Sequence, residues 1–80
     1  MDDHDVLTRI AALVDKEHEL EELHVGEGLD ADRAHELRQL EVALDQCWDL
    51  LRQRRARRSV GLDPDGAEVR PEGTVEGYRQ

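Results

Sequence analysis

The chain has 80 residues, a formal net charge of −9, 38% apolar and 39% charged residues, with one Trp, one Tyr and no Phe. That size leads to the expectation of one domain at most, with a marginal core and little room for a pocket. The single cysteine, Cys47, excludes an intramolecular disulfide, and no Cys-x-x-Cys pair or zinc-ligand spacing is present.

The opening MDDHDVLTRI is acidic where a secretory signal is basic, and no apolar run approaches the ~20 residues of a membrane span. The expectation is a soluble cytoplasmic protein with no membrane association. From Asp5 to His24 the apolar residues Val6, Ile10, Leu13 and Leu20, widened by Leu7 and Val14, repeat with the spacing of one helix face. Asp2, Asp3 and Asp5 crowd its start, where carboxylates suit the positive end of the helix dipole. The following VGEGLDAD stops this helix: Gly26 and Gly28 accept positive backbone angles, and Asp30 is a good N-cap for the next helix.

A second helix is expected over 31–58, about 42 Å long at the α-helical rise. Leu37, Leu40, Leu44, Cys47 and Leu51 advance along it in steps of 3, 4, 3 and 4, and Trp48 flanks them. Ser59 and Gly61 end it. Residues 61–80, GLDPDGAEVRPEGTVEGYRQ, carry two prolines and four glycines that break any long helix, and DPDG reads as a β-turn. This tail is expected to be extended or flexible, or laid along a groove of its own helices or of a partner.

Two helices joined by residues 25–30 lie antiparallel as a coiled-coil-like helical hairpin over 1–60. The two apolar stripes align in five layers: Leu20 with Leu37, Glu17 with Leu40, Leu13 with Leu44, Ile10 with Cys47, and Val6 with Leu51. Two helices leave much of that stripe uncovered. The expectation is therefore a homodimer forming a four-helix bundle, or docking on a larger protein partner.

The stretch RQRRARR, Arg52 to Arg58, concentrates five arginines in an acidic chain. Residues 1–51 hold fifteen acidic side chains against four Lys or Arg. The same alignment brings Arg52, Arg54 and Arg55 level with Asp5, Asp3 and Asp2. Internal pairing and dipole compensation are thus the leading reading of the cluster. Arg57 and Arg58 extend beyond the start of the first helix and are expected to stay available. The alternative is nucleic-acid or ribonucleoprotein association through Arg52–Arg58, which the acidic surroundings and the lack of stacking aromatics disfavour.

Glu17 falls mid-stripe opposite Leu40, where a carboxylate either finds a basic partner or reaches water through a small rotation of its helix. His18, His24 and His35 gather near the loop with Glu22, but HELEELH spaces its histidines six apart rather than the four of the zincin motif. No metal, no cofactor and no catalytic residue is assigned. The interaction candidates are Arg54, Arg57, Arg58, Trp48 and Glu17.

The run DQCWDLLRQRRARR, with LTRIAALVDKEHEL before it and VRPEGTVEGY after it, resembles the actinobacterial family catalogued as the domain of unknown function DUF2630. The resemblance spans nearly the whole chain and brings no catalytic or binding residues with it. The residues themselves favour a small non-enzymatic protein-interaction module, an adaptor or regulator.

Overall fold

The structure, a computed structural model, describes residues 2–22 and 31–76. Its elements are α1 (Asp3–Glu22), α2 (Ala31–Ser59), a single 3-10 turn (Pro64–Gly66) and α3 (Glu72–Glu76). Among the described residues the fold is all-helical. The expected loop 25–30, with Gly26, Gly28 and Asp30, lies outside the described residues, as do His24 and the last four positions.

α1 begins two residues earlier than the apolar pattern implies because Asp2 and Asp5 cap each other. The Asp5 amide donates to Asp2 Oδ1 at 2.9 Å, and the Asp2 amide donates to Asp5 Oδ2 at 3.1 Å. This reciprocal arrangement satisfies two amides that a helix start leaves without partners. The hydrogen bond donated by the Asp5 amide holds the Asp2 carboxyl below its ordinary pKa.

α2 ends in a Schellman motif. The Leu62 amide donates to Arg57 O at 2.8 Å and the Gly61 amide to Arg58 O at 3.1 Å, with Gly61 at φ +80°. A side chain at Gly61 would be strained in that conformation. The reversal sends the chain back along α2, where Asp63 caps the 3-10 turn by accepting from the Asp65 amide.

α1 and α2 pack side by side. Val6, Ile10, Leu44, Cys47, Leu50 and Leu51 form one buried cluster, with Leu13, Val14 and Ala67 against it. Asp3 at the start of α1 meets Arg54 and Arg58 at the end of α2. Lys16, Glu19 and Leu20 share a cleft with Glu36, Gln39 and Leu40. The helices therefore run in opposite directions. Burial concentrates in the three layers nearest the start of α1; Leu20, Leu37 and Leu40 keep part of their surface in water.

Of the alternatives expected for the tail, its described part takes the one laid along its own helices. Through residue 76 it lies against α2 and contains two short helical pieces. Val75 in α3 is fully buried. Gln53 Nε2 donates to Glu68 O at 2.7 Å and Gln46 Nε2 donates to Arg70 O at 3.1 Å. The side chains of α2 thus satisfy carbonyls that the irregular tail cannot pair internally. Its prolines and glycines break any long helix, and side-chain bonds from the neighbouring α2 hold the resulting irregular backbone in place.

Leu51 is 2% exposed at the tightest part of the core. Leu51→Ala is expected to cost about 2–5 kcal/mol in urea unfolding. Leu40→Ala, at the open end, should cost clearly less. Equal losses would contradict a core concentrated at one end.

Candidate interaction site

Arg54 is the most deeply placed cation of the cluster, with its side chain only 7% exposed. It sits on the α1-facing side of α2 one turn beyond Leu50 and Leu51. Its Nε donates to Asp3 Oδ1 at 2.5 Å and its Nη1 to Asp65 Oδ1 at 2.9 Å. One guanidinium thus joins α1, α2 and the 3-10 turn. A planar fork of donors can serve two carboxylates at once, which a lysine at this position could not reproduce.

Arg58, one turn further, places Nη1 and Nη2 at 3.0 and 2.6 Å from the two Asp3 oxygens. The Asp3 carboxylate is consequently shared by two guanidinium groups. The Arg58 and Arg54 hydrogen bonds hold its pKa down to about 2. In return, the Asp3 bonds raise the pKa of both arginines.

These contacts correct the expected availability of Arg57 and Arg58. Arg58 reaches back along the helix to the carboxylate that Arg54 already holds. Arg57 turns the other way and donates from Nε to Asp63 O at 2.6 Å. Its guanidinium lies against Gly66, so closely that a Cβ there would collide with it. Asp2 and Asp5, aligned with Arg55 and Arg52 by the stripe pattern, bond to each other's backbone amides. Arg55 has no ion-pair partner among the described residues.

Asp49 is a participant that the apolar pattern conceals. It is 2% exposed, yet ionisable. Gln53 donates to its Oδ2 at 2.9 Å, and Arg70 Nε lies 3.4 Å from the same oxygen. The pair of contacts offsets the cost of burying a carboxylate beneath the tail. The Asp49–Gln53 spacing of four is a sequence signal for a same-face bond; Arg70 becomes a partner only once the tail folds back.

Trp48 and Leu7 remain 44% and 47% exposed. Arg9, Ala43, Gln46, Leu50 and Val69 line a cleft on the tail side of the helix pair. Trp48 is two residues from Gln46, and Leu7 is two residues from Arg9. Two residues correspond to about 200° of helix, so both apolar side chains lie on the side opposite the tail. Glu17 is half-buried, with part of its surface in water. His18 and His35 are exposed. Among the described residues no three His, Cys, Asp or Glu side chains come together as a metal site. No described helix is long and apolar enough to cross a membrane.

The family model described as "Protein of unknown function (DUF2630)" matches residues 2–80. The chain belongs to this family. Among its relatives are "Uncharacterized protein Mb0922c" of Mycobacterium bovis and "Uncharacterized protein Rv0898c" of Mycobacterium tuberculosis. Each is 48% identical over 77 residues, covering 95% of this chain and 88% of the relative. No solved structure matches. The match supports treating both helices and the tail as parts of one family pattern.

The linkage between Asp3 ionisation and folding has a definite sign. A carboxylate near pKa ~4 when unfolded and about 2 when folded adds stability that is complete above the unfolded value. That contribution is lost as pH falls through the folded value. Asp3→Asn should therefore lower the thermal midpoint at neutral pH, and its deficit relative to the parent should shrink between pH ~4 and ~2. A deficit that stays constant through this window would show that ionisation of Asp3 is not its source.

Proposed function

We propose that the protein is a non-enzymatic protein-interaction module, a cytoplasmic adaptor or regulator. In this reading, its antiparallel helical hairpin pairs into a four-helix bundle or docks on a protein partner. The carrying observation is the exposed Leu7 and Trp48 on the side away from the tail. Large apolar groups are costly to leave in water, and aromatic residues are enriched at contact centres.

The arginine contacts favour this reading over nucleic-acid binding. Arg54 and Arg58 are engaged with Asp3, and Arg57 with the Asp63 carbonyl. Redirecting them to phosphate would disrupt bonds that join the tail and α1 to α2. Fluorescence anisotropy with labelled single-stranded RNA and duplex DNA at low salt should detect no binding. Binding that weakens steeply as salt rises would overturn the preference.

A photoreactive amino acid at position 48 should give protein adducts in cells, whereas one at Glu19, exposed on another part of the surface, should give few. Equal yields at the two positions, or no protein adduct at position 48, would remove the Trp48 side from the account.

A further inference from the structure

We infer that the Trp48 side is the contact surface for a second copy of this chain, with α2 packed antiparallel against the other α2 and the two Trp48 side chains at the two-fold axis. The inference rests on the protein-interaction reading and commits it to one occupant.

Its basis is a charge pattern along α2. Glu41, Trp48 and Arg55 are successive residues seven apart. Seven residues are nearly two turns, so the three form one stripe with a drift of only ~20° per step. Trp48 and Arg55 are exposed and Glu41 is half-buried. Neither Glu41 nor Arg55 holds an ion pair among the described residues. The stripe therefore carries an acid and a base at equal distances, about 10 Å, on either side of an exposed tryptophan.

Such a pattern is complementary to itself in one direction only. When α2 meets its copy antiparallel with Trp48 at the centre, Glu41 of each copy faces Arg55 of the other. Two opposite-charge pairs then flank a desolvated aromatic contact, as isologous two-fold symmetry requires. Parallel pairing in the same alignment places Glu41 on Glu41 and Arg55 on Arg55, which like-charge repulsion opposes.

The neighbouring helix is compatible with this arrangement. α1 is aligned so that position 9 lies level with Trp48, and the same two-fold operation brings Leu7 opposite Ala11 of the second copy. A large side chain meets a small one, which allows close approach. The described part of the tail, through residue 76, is on the opposite side, held by Gln46 and Gln53, and does not cover this surface. The long dimension of 51 Å provides the length for a contact of ordinary dimer size, ~800 Å² per partner.

The test uses sedimentation equilibrium on the full chain, with Glu41→Arg, Arg55→Glu and the double reversal as variants. Circular dichroism checks that each remains helical. The intact chain should dimerise, with a blue shift of the Trp48 emission as concentration rises. Each single reversal should weaken dimerisation about tenfold or more, and the double reversal should restore it. A chain that stays monomeric up to ~1 mM, or a dimer whose affinity none of the variants changes, would overturn the proposal. Adducts from position 48 to a different protein would then preserve the interaction reading while excluding a second copy as its occupant.

Discussion

The guanidinium of Arg54 is the point at which three parts of the chain meet. It bonds to Asp3 in α1 and to Asp65 in the returning turn, while its own backbone belongs to α2. With its side chain 7% exposed, it exchanges much of its hydration for these carboxylates. Loss of either one would leave a charge poorly compensated by solvent. The apolar cluster ends just beneath it. Arg54 therefore functions as the polar continuation of the Val6–Leu51 layer, closing an otherwise short core.

The closure also makes the two ends of the helix pair unlike. At one end, hydrophobic burial, the shared Asp3 carboxylate and the docked turn coincide. Toward Leu20 and Leu40, the helices enclose an open cleft bordered by Lys16, Glu19, Glu36 and Gln39. Such polar edges contribute little to burial, so stability in this rod-like molecule is unevenly distributed along its length. The Trp48 stripe overlaps the firm end, so the proposed docking surface would be carried on the better-buried part of the helix pair.

Much of this organisation follows from local periodicity. The 3-4 spacing of apolar residues identifies α1 and α2, and Gly61 marks the chain reversal. The alignment that pairs Val6 with Leu51 also brings Asp3 to Arg54. The remaining details depend on choices that spacing leaves open. Asp2 and Asp5 bond to each other because a helix start leaves their own amides without carbonyl partners. Arg58 has enough side-chain length to reach back a full turn. Asp49 occupies a buried position because the tail lies over it, and nothing in the turn-rich composition of residues 61–76 specifies that return path. Trp48 is legible as a flanking residue, but its exposed side is defined only after the tail occupies the other.

The contacts that hold the tail have an uneven division of labour. Gln46, Gln53 and Arg57 of α2 supply side chains, whereas Arg70, Glu68 and Asp63 receive them through backbone carbonyls. A carbonyl is present whatever residue carries it. The backbone path of this joint is therefore specified on the helix, Ala67, Arg70 and Val75 add side-chain contacts of their own, and it is at exposed Glu68 and Val69 that the outer surface can change its chemistry without displacing the tail.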